Sequence, residues 1–137
     1  MYIPRFARQD LLRALGALTT MITRWDEMCD RKLFRIIKHI NGTVSWRQIG
    51  FIGDSPDSLP LGLFLDADFV GDRADMRSTS GVFLALYGPR SFLPLSAQSN
   101  RQTAVSHSTV ETDIVAADHA LRTSGLPALP RWERLLN

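Results

Sequence analysis

The hydrophobic period changes at Thr43, and that change divides what the chain can fold into. Before it, Leu11, Leu15, Leu18 and Ile22 recur at helical spacing, and Trp25, Met28, Leu33, Ile36 and Ile40 make a second apolar stripe. Recurrence at three and four residues stacks side chains on one side of an α-helix. Asp10 is placed to cap the first helix and Thr23-Arg24-Trp25-Asp26 the second. The spacing therefore predicts helices over residues 10–23 and from about Asp26 to Asn41-Gly42. Arg24, Arg31, Arg35 and Lys38 supply the polar faces of the second.

Beyond Thr43, Val44, Trp46 and Gln48 to Phe51 read as a strand, Gly53 to Pro60 as a turn-rich loop and Leu61 to Asp66 as a second strand, the two making a hairpin. Gly81 to Tyr87 and Ser91 to Gln98 predict another strand pair about Gly88-Pro89. Pro94 marks an edge or an irregularity there, because proline brings no N–H to a ladder. Ser108 and Glu111 have capping-box spacing ahead of Val110, Ile114, Ala117 and Leu121. A third helix is expected to run to about Ser124, closed by Gly125. Leu126 to Pro130 reads as a proline-bounded link, and Arg131 to Asn137 as a short helical tail. No internal repeat or low-complexity segment interrupts this order.

A length of 137 residues with 45% apolar side chains suits one domain, or one domain with a helical extension. The lone cysteine, Cys29, excludes an internal disulfide and a cysteine-rich metal site, and fits an intracellular, reducing compartment. Apolar runs fall far short of the roughly 18 residues of a membrane span, and Met1 to Pro4 lacks the features of a signal peptide. The net charge of +2 conceals an asymmetry. Residues 1–53 hold nine Arg and Lys against four acids, and residues 54–137 hold seven against ten. That pattern suits a phosphate-facing surface beside a metal site, and equally two solvated faces.

The chemistry concentrates around Asp66-Ala67-Asp68. This acidic pair ends the apolar run Leu59 to Leu65 and precedes Gly71-Asp72, so it sets carboxylates at a strand terminus. A metal-dependent nuclease holds its ions in such a place, with hard oxygen ligands around two magnesium ions roughly 3.5–4 Å apart. Asp113, in the first turns of the third helix, is a partner that helix packing can aim at a strand end. The helix N-terminus favours its anionic form. Asp66, Asp68 and Asp113 are the candidate metal ligands, Asp66 and Asp113 the candidate catalytic pair. The alternative for all three is a turn or surface acid.

In order along the chain, Leu65-Asp66-Ala67-Asp68-Phe69-Val70-Gly71, Arg77-Ser78-Thr79-Ser80-Gly81, Gln102 to Thr109 and Ser108-Thr109-Val110-Glu111-Thr112-Asp113 resemble the ribonuclease H domain of copia-type retrotransposon polyproteins. Arg8-Gln9-Asp10, the two helices and Asn41-Gly42-Thr43 resemble the stretch that joins reverse transcriptase to that domain. The resemblance implies an α/β fold: a ribonuclease H-like mixed sheet with packed helices over residues 43–137, preceded by a helical connection over residues 1–42. It also implies magnesium as cofactor and RNA–DNA hybrid as substrate. The family's Ser-Asp-Ala-Asp-Trp-Ala-Gly pattern puts its first catalytic aspartate on Asp66. Its Ser-Thr-x-Glu-Ala-Glu pattern puts the second catalytic acid on Asp113, one methylene shorter.

Arg73, Arg77 and Arg101 flank this site and are the candidate phosphate contacts, with solubilising charge as the alternative. His39, His107 and His119 have no metal-ligand spacing and read as surface or capping residues. Trp25 and Trp46 fit packing, and Trp132 fits packing on the core or on a partner. In the family a strand with an Asp-Asn pair and a later acid follow the third helix, and neither precedes Asn137. The sheet is accordingly expected to be incomplete at its C-terminus, and the chain to be a poor nuclease or none. Two functions compete: a vestigial, magnesium-dependent ribonuclease H that binds hybrid, and a non-enzymatic module whose open sheet recruits a protein partner or a second copy.

Overall fold

Asp26 begins the longest helix of the chain, and its side chain shows why. Its carboxylate accepts the N–H of Cys29 at 2.8 Å, which satisfies an orphan donor of the first turn and holds Asp26 below the usual carboxylate range. The computed structural model describes residues 3–72, 77–103 and 105–136. They fall into two compact units, Met1–Gln48 and Ile49–Asn137.

The first unit holds α1 (Ile3–Phe6), α2 (Leu12–Thr19) and α3 (Glu27–Gly42). Leu11, Leu18, Cys29 and Ile36 form its buried core, with Leu15, Met21, Leu33 and Ile40 packed around them. Of the expected second stripe, Trp25 and Met28 remain exposed. The first helix stops at Thr19, short of residue 23, and a tight turn covers Ile22–Arg24. The hydroxyls of Thr19 and Thr20 donate to the carbonyls of Gly16 and Ala17, a local competition that weakens helix continuation. Asp10, expected as a cap, clasps instead. It accepts Arg8 through both oxygens, at 3.0 and 2.9 Å, and pairs with His39 Nε2 at 3.0 Å. Arg8 also donates to the Thr43 hydroxyl at 2.8 Å, and that hydroxyl donates to the carbonyl of His39 at 2.7 Å. Thr43 thereby closes α3. These partners, Arg8 first, hold the Asp10 carboxyl far below its usual range.

The strand expected from Val44 shrinks to β1 (Phe51–Ile52). Val44, Trp46 and Ile49 are exposed, and Arg47 satisfies the carbonyls of Val44 and Trp46 itself. Alternating apolar residues without a neighbouring ladder do not make a strand. The expected hairpin with Leu61 is also absent, because β1 pairs with a later strand.

The second unit is a four-stranded sheet in the order β1-β4-β3-β2, built from β2 (Leu61–Asp72), β3 (Arg77–Gly88) and β4 (Ser91–Arg101). Every pairing among the described residues is antiparallel, where a mixed sheet was expected. The β2 strand, which carries Asp66, is a sheet edge among those residues. Pro94 behaves as the sequence predicts. Leu84 faces Ser96 and Ala85 faces Pro94, so Leu95 is an extra residue and the ladder bulges at the proline.

Helix α4 (Thr109–Ala120) follows its capping box: Ser108 Oγ accepts the N–H of Glu111, and the Glu111 carboxylate accepts the N–H of His107. Gly125 does not close it. A π-helical turn over Leu121–Gly125 carries the chain directly into α5 (Leu126–Leu136), so the expected proline-bounded link is helical. The widened turn precedes Pro127 and Pro130, residues with no N–H to donate. Gly125 serves close packing, since a Cβ there would lie 3.0 Å from Leu63 Cδ2 on β2. No helix among the described residues is long and apolar enough to cross a membrane.

Two stability experiments follow from these contacts. Ala116 is a fully buried residue of α4, so Ala116→Leu overpacks the helix–sheet junction and costs about 1–3 kcal/mol in a thermal melt. The depressed Asp10 pKa contributes stability above the unfolded value near pH 4, and loses it as pH falls towards the folded value. Asp10→Asn should therefore destabilise by about 1 kcal/mol or less at pH 7, Asp10 being about a third exposed. The gap to wild type should shrink below about pH 4 in urea titrations.

Candidate functional site

Cross-strand register decides which side chains share a face of the sheet, because paired residues point the same way and their neighbours point the other. On one face stand Ser78, Ser80, Val82 and Leu84 of β3, with Ser96 and Gln98 of β4, all buried. Helix α4 covers this face with Thr112, Ala116 and Ala120, buried at successive four-residue steps. Their small size lets the helix lie close, and polar groups fill the junction. Gln102 donates to the Ser80 hydroxyl at 2.9 Å and to the Thr112 carbonyl at 3.0 Å, and accepts from Ser106 at 3.3 Å. Gln98 donates to Ser124 at 2.6 Å, tying β4 to the π-helical turn.

The other face is open. Asp66 pairs with Gly81 and Asp68 with Thr79, so both carboxylates belong to this side, and both are exposed. Arg101 pairs with Thr79 and joins the same row, while Arg77, two residues before Thr79, is exposed on the same side of β3. Asp113 is an exposed residue of α4, the helix on the covered face. The structure thus brings Asp66, Asp68, Arg77 and Arg101 onto one face and leaves Asp113 on an element of the other. Arg73 lies outside the described residues. Among the described residues no group of three or more His, Cys, Asp or Glu side chains is arranged to hold a metal.

The rest of the open face is aromatic. Phe64 lies 6.1 Å from Phe83 and 5.6 Å from Tyr87 between ring centroids, and Phe83 stacks 6.2 Å from Phe92. Phe51 pairs with Phe92 at the far edge. Phe64 is 47% exposed, Tyr87 44%, Phe92 51% and Phe51 68%. Gly62 makes the cluster possible: the rings of Tyr87 and Phe64 lie over it, 2.6 and 2.9 Å from where a Cβ would stand. The sequence holds a signal for this patch. Phe64 shares the two-residue period of Asp66 and Asp68, and Phe83 and Tyr87 are four residues apart on one strand. Period two alone does not say which face a helix will cover.

His119 Nε2 lies 3.0 Å from the Asn100 side-chain nitrogen, and the His107 backbone caps α4. His39 belongs to the Asp10 clasp and meets Trp46 edge-on at 5.7 Å. All three histidines hold structural contacts.

Asp66 is an exposed carboxylate, so Asp66→Asn should change stability by no more than about 0.5 kcal/mol. Added magnesium should shift the melting temperatures of wild type and Asp66→Asn equally. A magnesium-dependent rise confined to wild type would show that Asp66 ligates the ion.

Comparison of the chain with protein-family models, with curated proteins and with solved structures found no match.

Proposed function

We propose that this chain is a ribonuclease H-like module of retrotransposon ancestry that acts by binding rather than by hydrolysis. Support for the ancestry comes from the order of segments. The Asp66-Ala67-Asp68 strand pairs with the strand that opens Arg77-Ser78-Thr79-Ser80-Gly81, a third antiparallel strand follows, and Ser108-Thr109 caps the next helix.

The observation that carries the binding reading is the open face. Phe51, Phe64, Tyr87 and Phe92 leave aromatic surface together in water, and an apolar patch of this kind is where an interaction site is expected. Hydrolysis of an RNA–DNA hybrid would instead draw on Asp66, on the open face, together with Asp113 of the helix that covers the other.

The test is incubation of a labelled RNA–DNA hybrid with the purified chain in magnesium and, separately, in manganese. No cleavage is expected. Turnover that disappears in Asp66→Asn would overturn the binding reading in favour of a nuclease, the variant serving as control for a contaminating enzyme.

A further inference from the structure

We infer that the free edge of β2, flanked by one side of α4, is a docking groove for an extended segment of another protein, apolar at alternate residues and basic at those between. Among the described residues β2 has a neighbour on one side only, β3, so its other row of N–H and C=O groups is open to a further strand. Helix α4, which packs on β2 and β3, is unpartnered on the same side. Its His119 turns towards β4, with Nε2 3.0 Å from the Asn100 side-chain nitrogen. At about 100° per residue, Val110, Ile114 and Leu121 stand roughly 140–180° round the helix from His119. They therefore lie on the side away from β4, where the edge of β2 runs. Val110 is 68% exposed, Ile114 64% and Leu121 50%.

The floor of the groove is apolar too. Leu65 pairs with Val82 and so belongs to the face that α4 covers, yet it is 41% exposed where Val82 is buried. Position makes the difference, since Val82 lies on an inner strand and Leu65 on the edge. The helical path follows β2 lengthwise. At one end Thr112 Oγ1 lies 3.5 Å from Ser78 Oγ, next to the row of Asp68 and Thr79, and at the other the π-helical turn brings Gly125 against Leu63. A strand laid against β2 would extend the ladder with backbone groups and set alternate side chains between Leu65 and the Val110–Ile114 stripe.

Charge selects the partner. The β2 and α4 elements carry six acids, Asp66, Asp68, Asp72, Glu111, Asp113 and Asp118, and no lysine or arginine. Asp66 and Asp68 stand at alternate positions on the open side of the edge, beside the side chains that an added strand would turn that way. Opposite charges in such cross-strand pairs are favourable, and like charges are not. A second copy would bring the same six acids, and a nucleic acid its phosphates, so neither supplies the counter-charge. The groove lies at the edge and on the helical side of the sheet, beyond the aromatic face proposed above as a binding surface.

The probe is a fluorescein-labelled peptide, Thr-Val-Lys-Val-Arg-Val-Thr, titrated into the full chain by fluorescence anisotropy, with amide exchange read across Leu61–Asp68. Wild type should bind it saturably, and binding should slow exchange along β2. A peptide with glutamate in place of its lysine and arginine should bind at least tenfold more weakly. The basic peptide N-methylated at alternate residues should lose as much, because it lacks half of its ladder donors. Val110→Ser with Ile114→Ser, both at exposed positions, should weaken binding at least tenfold with an unchanged circular dichroism spectrum. Asp66→Lys with Asp68→Lys should reverse the preference between the basic and the glutamate peptides. No saturable binding up to about 1 mM, equal binding of the two peptides by wild type, or binding untouched by N-methylation or by the serine variant would each overturn the inference. A chain that sediments as a dimer with β2 protected in the absence of peptide would overturn it in favour of a second copy.

Discussion

Gln102 joins three elements through the two ends of one amide. Its nitrogen reaches Ser80 on β3 and the Thr112 carbonyl on α4, its oxygen takes the Ser106 hydroxyl, and its own backbone N–H donates to the carbonyl of Ser78 at 2.8 Å. All of these residues are buried. A hydrogen bond adds only about 0.5–1.5 kcal/mol net, whereas a buried polar group left without a partner costs roughly 1–3 kcal/mol. The network therefore specifies more than it stabilises: any other seating of α4 strands several polar groups at once.

That seating decides the rest of the second unit. Once Thr112, Ala116 and Ala120 lie against β2 and β3, Ser78, Ser80, Val82 and Leu84 are interior, and their strand neighbours necessarily point away. The alternation sends Phe64, Phe83, Asp66 and Asp68 together to the uncovered side. The covered face holds Val82, Leu84 and Leu86 beside its polar groups, and the aromatic cluster is left on the outer face, which marks that side as a place of contact.

Elsewhere the chain resolves local conflicts with local devices. The bulge at Leu95 absorbs Pro94 without ending β4. The π-helical turn at Leu121–Gly125 lets the helical path continue into a segment with two prolines. At the entry to the sheet, the Ser91 hydroxyl accepts the N–H groups of Gly53 and Asp54, and the Asp54 carboxylate accepts the N–H of Arg90. The Ser91 hydroxyl, followed by that Arg90 N–H, holds the Asp54 carboxyl below its usual range.

The sequence by itself determined the features whose causes lie within a few residues. The Asp26 cap, the Ser108–Glu111 capping box, the turn at Gly88-Pro89 and the irregularity at Pro94 are of this kind, because propensity and capping act over one helical turn or one ladder step. Where a cause was distant, the local signal misled. Val44 and Trp46 alternate like a strand but have no neighbouring strand to pair with, and Gly125 resembles a helix stop yet is needed for its approach to Leu63. Both Asp66 and Asp113 could be named as acids at the right ends of their elements. Their assignment to opposite sides of the sheet could not, because it depends on register and on which face α4 covers. Only tertiary packing makes that choice, since a period of two is satisfied equally well by either face.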